Sequence, residues 1–158
     1  MVTIKEAAAD FLSSQRIAVT GVSRKAAGHG GNVVYQRLRD RGYEVFAVNP
    51  NATEVEGDRC YAELANIPGG VDAVVIATRP DAAEATVRQC AELGIRRVWM
   101  HRSVGQGSVC DEATVDGRDH GITVIDGGCP LMYGPASDGG HRFMCRLLTW
   151  AGVVPKQV

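Results

Sequence analysis

Short apolar runs that stop at glycine, Asn-Pro or Thr-Arg-Pro, and that alternate with stretches of helical period, constrain this chain more than any other feature. Arg16-Ile-Ala-Val-Thr-Gly-Val22 is one such run, Glu44-Val-Phe-Ala-Val48 a second and Val71-Asp-Ala-Val-Val-Ile-Ala-Thr78 a third. Ile95–Met100 and Ile122–Ile125 complete five. The third is nearly continuous in apolar residues, the pattern of a central parallel strand covered on both faces.

Helix signals lie between the runs. Ile4, Ala7, Ala8, Phe11 and Leu12 form one apolar stripe ahead of the first strand. A second helix is expected from about Asn32 to Arg41, stopped by Gly42. A short helix near Tyr61–Asn66 precedes the third run. The next helix opens at Pro80-Asp81 and ends near Leu93, and another lies between Val109 and His120. Strands alternating with helices predict an α/β fold. The default is a three-layer, Rossmann-like, doubly wound parallel sheet of about five strands in the order 3-2-1-4-5. Gly127–Val158 holds Gly and Pro turns and a helix around His141–Ala151, expected to pack back on the sheet. With no repeat or linker, residues 1–158 read as a single domain with a C-terminal extension from about 135.

Composition narrows the function classes. Seventeen basic residues against eighteen acidic leave a net charge of −1, without the basic excess of a general nucleic-acid binder. Five cysteines, an odd number with no C-x-x-C pair, read as reduced thiols. No apolar run approaches the ~18 residues of a membrane span, and the N-terminus lacks a signal-peptide core. A soluble, cytoplasmic protein with no membrane partner is expected.

In an open parallel sheet, ligands bind beyond the carboxyl ends of the strands. The first such loop, Gly21-Val-Ser-Arg-Lys-Ala-Ala-Gly-His-Gly-Gly-Asn32, joins a strand to a helix start through glycines. Backbone N–H groups there suit a phosphate. Ser23 adds a hydroxyl, and Arg24 and Lys25 add charge. The usual dinucleotide fingerprint is absent, because Ser23 stands where the second glycine belongs. The second strand ends Val48-Asn49-Pro50, with no carboxylate for a nicotinamide ribose. The loop is neither a P-loop nor a nucleophile elbow.

The series Ala18-Val-Thr-Gly-Val-Ser23, Gly31-Asn32, Gly42-Tyr-Glu-Val, Val48-Asn-Pro50, Glu56-Gly57, Ile67-Pro68, Val71-Asp72, Gly94 and Val98-Trp-Met100 resembles the CoA-binding domain family. That family comprises stand-alone relatives of the N-terminal domain of the succinyl-CoA synthetase alpha subunit. Asp126-Gly-Gly-Cys-Pro130 is similar to its loop after the fifth strand. The resemblance covers roughly residues 3–135. It implies coenzyme A or an acyl-CoA on the sheet. Gly21, Val22 and Ser23, with Gly28, Gly31 and Asn32 at the helix start, would hold the diphosphate. Asn49, Pro50, Ala77 and Thr78 would border the adenosine, with Arg79 and Pro80 following, and His101 would face the pantetheine arm. Arg24, Lys25 and Arg79 are the cations beside these loops. Relatives commonly carry a basic residue after the Asn-Pro turn; Asn51-Ala52 follows it here, so the 3′-phosphate has no assigned partner.

Cys129, beyond the fifth strand, is either a thiol open to exchange with CoA or a buried structural cysteine. His101 is a general acid or base, a polar wall or a scaffold residue. Trp99 reads as core, and Trp150 as packing the last helix onto the domain or a neighbour. No histidine spacing suits a metal. No residue is assigned a catalytic role. The leading expectation is a small CoA- or acyl-CoA-binding protein without chemistry of its own. A nicotinamide-dependent (NADP) oxidoreductase with an atypical glycine loop is the alternative. A small nucleotide is the expected ligand, and a protein partner or homo-oligomer stays open.

Overall fold

The computed structural model describes residues 2–25, 29–102, 107–134 and 139–158. Chain order runs α1 (Ile4–Leu12), β1 (Arg16–Thr20), α2 (Gly30–Asp40), β2 (Glu44–Val48), β3 (Glu54–Val55) and β4 (Asp58–Tyr61). A 3-10 turn at Leu64–Asn66 leads to β5 (Ala73–Ile76), α3 (Pro80–Glu92), β6 (Arg97–Met100), α4 (Asp111–Asp119) and β7 (Thr123–Asp126). A second 3-10 turn, Pro130–Met132, precedes α5 (Gly139–Trp150).

The strands form one seven-stranded sheet in the order β3-β4-β2-β1-β5-β6-β7. Neighbours run parallel except β3 and β4, which form an antiparallel edge hairpin. All five strands expected from the apolar runs are present, but the expected count and order both need correction. The third expected strand, here β5, pairs with β1, Val19 opposite Val75, and does not touch β2. The place beside β2 belongs to β4, whose Cys60 and Tyr61 pair with Ala47 and Val48. Asp58-Arg-Cys-Tyr61 escaped notice because an edge strand need not be apolar on both faces, and only Cys60 of the four is buried. Counted with β4 third, the six parallel strands read 3-2-1-4-5-6.

The alternation of β1 explains the three layers. Ile17 and Val19 face a core shared with α1, α2 and the Pro130–Met132 turn. Ala18 faces the opposite core, shared with Val74, Ile76, α3 and α4. The α1 stripe lies in the first core as expected, and Thr3 and Glu6 close a capping box at its start. Trp99 is fully buried, edge-on to Phe11 at 5.4 Å between ring centroids, and its indole N–H donates to the Gly127 carbonyl at 2.8 Å.

The C-terminal segment returns to the N-terminus. Ile4 N–H donates to Lys156 O, and Val158 N–H to Val2 O. Helix α5 leans on the first core through Met144, Cys145 and Leu148, yet none of its residues is fully buried. Phe143, Leu147 and Trp150 are 71%, 52% and 88% exposed, so Trp150 does not pack α5 onto the domain. No helix among the described residues is long and apolar enough to cross a membrane.

Candidate functional site

The carboxyl ends of β1, β2 and β5 meet where the chain leaves β1 at Gly21. Gly21 has φ +75°, and a Cβ there would lie 2.5 Å from the Ala77 carbonyl oxygen, so the turn crosses the end of β5 at backbone contact. Gly31 serves the same approach from α2: its Cβ would lie 3.0 Å from both Ala77 Cβ and Gly21 O. These two glycines set the helix directly over the switch point of the sheet.

Val22 and Ser23, which follow Gly21, are tied down by two amide side chains. Asn32 is buried in the first turn of α2. Its Oδ1 accepts from Ser23 N–H at 2.8 Å, and its Nδ2 donates to Ser23 O at 2.9 Å and to Glu56 at 2.6 Å. Glu56, in the β3–β4 turn at φ 52°, also accepts from Gln36. Those two donors hold its carboxyl below the usual carboxylate range, Asn32 contributing most. Asn49 staples the loop from the other side, its Nδ2 donating to Val22 O at 2.9 Å while its Oδ1 accepts from Asn51 N–H. An amide, and not a carboxylate, is what this double role needs.

Above this wiring lies a cleft of about 600 Å³. Of the expected residues, Gly21, Ser23, Asn49, Pro50, Ala77, Thr78 and Arg79 line it together. Val22 and Asn32 are buried beneath it, and Gly31 packs against Ala77. Arg24 lines a recess beside it with Pro50 and Asn51. Lys25 is exposed, its N–H donating to Ser23 Oγ at 3.1 Å. Pro80, at the start of α3, lines a separate depression with Arg102 and Val109. Gly28 lies outside the described residues.

Two features make the cleft receptive to a polar, anionic ligand. Thr20 and Thr78 line it with buried hydroxyls that have no hydrogen-bond partner among the described residues. A buried polar group left unpaired is costly, so such hydroxyls mark a place for an outside partner. The first turn of α2 has no side-chain cap and no acid, and His29 at its cap lines the cleft. Its leading N–H groups and its dipole favour an anion. Gly21 N–H is committed to Val48 O and Ser23 N–H to Asn32, so the first turn of α2 supplies open donors that those two groups do not.

On the other side of that first turn lies a smaller cavity of about 150 Å³, walled by Gly30, Val33, Val34, His101, Cys129, Leu131, Met132, His141 and Met144. His101 Cε1 lies 2.9 Å from where a Cβ on residue 30 would stand, so the ring packs against a helix start that must be glycine. Burial, with a smaller contribution from His141, pushes the imidazole down to about 4, so it is neutral at pH 7. Cys129 is 3% exposed, the buried of its two expected states. No cluster of His, Cys, Asp and Glu suited to a metal occurs among the described residues.

The structure adds cleft residues that the sequence did not single out, among them Thr20, Glu63, Thr86 and Gln89, while His29, read in the sequence as either a phosphate contact or a solvated loop residue, lines the cleft. Thr20 carried a signal, a hydroxyl closing an otherwise apolar buried strand. Thr86 and Gln89 carried none, since a helix facing a cleft looks like a helix facing water.

A family model described as CoA binding domain matches residues 15–135. The uncharacterized protein YneT of Bacillus subtilis is 30% identical over 112 residues, covering 71% of this chain and 79% of that protein. The ADP-forming acetate–CoA ligase II of Archaeoglobus fulgidus is 32% identical over 89 residues, covering 55% of this chain but 13% of the ligase. The match thus spans a small part of that enzyme. The crystal structure of Prb, a protein redesigned for binding, shares the fold at a TM-score of 0.76 and 23% identity, covering 88% of this chain and 96% of its own. Matched over most of its length by the family model and by YneT, this chain belongs to the CoA binding domain family.

Proposed function

We propose that the chain is a small CoA- or acyl-CoA-binding protein with no catalytic step of its own. One observation supports this above the others: the cleft over the switch point combines two buried hydroxyls, unpartnered among the described residues, with an uncapped, acid-free helix start. In this arrangement the adenosine lies in the cleft between Asn49-Pro50 and the Ala82–Thr86 side of α3. The diphosphate crosses the first turn of α2 beside His29, and the pantetheine arm continues toward His101. In this reading Arg24, in the recess that shares Pro50 and Asn51 with the cleft, meets the 3′-phosphate from the opposite loop. Arg79, already close to Asp81 at 3.3 Å and largely exposed, adds a screened charge at the mouth. The family membership agrees with this ligand. Nothing in the comparisons favours the nicotinamide-dependent alternative.

Calorimetry and thermal shift with CoA, NADPH and NAD test the assignment. CoA at 100 times its dissociation constant raises stability by about 2.7 kcal/mol, and the nicotinamide nucleotides leave it unchanged. Ser23→Glu places a carboxylate beside the diphosphate and abolishes CoA binding. Stabilisation by NADPH alone overturns the assignment.

A further inference from the structure

We propose that the cavity beneath α5 is an acyl pocket, so that the chain prefers short, uncharged acyl thioesters of CoA over both free CoA and long-chain thioesters. The inference rests on the assignment of the neighbouring cleft to CoA.

Position comes first. His29 lines the cleft and Gly30, the next residue, lines the cavity, so the two spaces flank the first turn of α2. A ligand with its diphosphate on that turn and its nucleoside in the cleft sends its other end past His101 into the cavity. Gly30 and His101 are in contact at this passage, and a side chain at residue 30 would close it.

The walls fit the end of a thioester and not a charged group. Val33, Val34, Leu131, Met132 and Met144 supply apolar surface, and among the described residues no carboxylate, lysine or arginine lines the cavity. His101, neutral at pH 7, offers one donor or acceptor for a thioester carbonyl. Methionine walls adapt to small changes of shape.

Capacity sets the chain length. At ~30 Å³ for a water-sized group, about 150 Å³ holds about five such groups. The thiol end of the arm fills part of this, leaving room for a few carbons. The rear is closed by Cys129, Leu131 and Met132, all buried in close-packed core, so a long chain has no way through. The outer wall, His141 and Met144, comes from α5, which lies outside the matched residues 15–135. The pocket is therefore a property of this chain's C-terminal helix.

The test is calorimetric titration of the full chain with CoA, acetyl-CoA, butyryl-CoA and palmitoyl-CoA, the last below its micellar concentration. Each buried methylene is expected to tighten binding about fourfold, so butyryl-CoA, with two more than acetyl-CoA, binds about fifteenfold more tightly. Palmitoyl-CoA binds no better than free CoA. Met144→Trp narrows the cavity and brings butyryl-CoA to the affinity that free CoA shows on the same variant. Met144→Ala moves the preference to a longer chain such as hexanoyl. Equal affinity for CoA and every thioester overturns the acyl pocket and leaves the CoA assignment standing. Absence of binding by all four ligands overturns both.

Discussion

The cleft over the switch point and the cavity beneath α5 lie on either side of one helical turn, yet they are built differently. The cleft is a backbone construction: glycines at 21 and 31 bring three strand ends and a helix to contact distance, and Asn32, Asn49 and Glu56 lock the loops by hydrogen bonds. The cavity is a side-chain construction, and part of its wall stands on a helix with no fully buried residue. A backbone site tolerates little change of geometry but does not depend on which apolar residue surrounds it. A side-chain site is the reverse, so ligand class and ligand selectivity are set in different places.

The sharpest way to break this contrast is to add a methyl group to one glycine from each region. Gly21→Ala forces a Cβ to 2.5 Å from a backbone oxygen and a left-handed φ on alanine. Overpacking against backbone and the conformational cost together predict a loss of about 4 kcal/mol in urea denaturation. Gly152, just after α5, has nearly the same φ, +74°, but nothing within 4 Å of its Cβ position. Gly152→Ala therefore loses only the conformational part, about 1 kcal/mol. Equal losses would mean that the close crossing over β5 does not limit the fold.

His101 gives the next largest effect and belongs to the passage between the two regions. Its folded pKa of about 4 lies below the unfolded value near 6.5, so the unfolded chain takes up a proton that the folded chain refuses. Stability is full above about pH 6.5 and falls as pH drops toward 4, by up to about 3 kcal/mol. Asp10, Glu56 and Asp58, whose carboxyls are also held low, act in a more acidic window. Chemical denaturation between pH 4 and 7 shows the slope in the wild type, and His101→Gln removes it. An unchanged slope in the variant would place the protonation elsewhere.

Much of the backbone site was legible in the sequence, and its wiring was not. Apolar runs are visible as strands where burial on both faces leaves few polar positions, which is why β1, β5 and β6 could be read, and the edge strand β7 was read from the apolar Ile122–Ile125 run. β4 could not, since a four-residue edge strand with one buried residue has neither run nor alternation, and missing it misplaced β5 in the sheet order. Ser23 and Asn32 both stood out as ligand candidates for their residue types. Nothing in their types revealed that they bond to each other, which is fixed only when α2 folds back over the loop. The acyl-side cavity was hidden more completely. Its walls come from four separated stretches of chain that meet only in three dimensions.

Asn32→Ala tests the wiring itself. It strips Ser23 N–H and O of their partner and removes one donor from Glu56. The expected loss is about 2 kcal/mol, close to the cost of leaving such groups unpaired. Amide hydrogen exchange at Ser23 should speed up well beyond the change in global stability. Unaltered protection at Ser23 would show that the loop is held by something other than this amide.

The smallest effect is expected where the C-terminal helix faces outward. Trp150 is 88% exposed, and Phe143 and Leu147 lie on the same face at helical spacing, while Met144, Cys145 and Leu148 carry the contacts of α5 with the core. Removing a side chain that buries almost nothing forfeits almost no transfer free energy. Trp150→Ala should change the urea denaturation free energy by less than about 0.5 kcal/mol, and it should leave the thioester preference intact because residue 150 does not line the cavity. A loss several times larger would mean that this face is covered in solution. The side-chain construction would then extend beyond the walls that α5 contributes to the cavity.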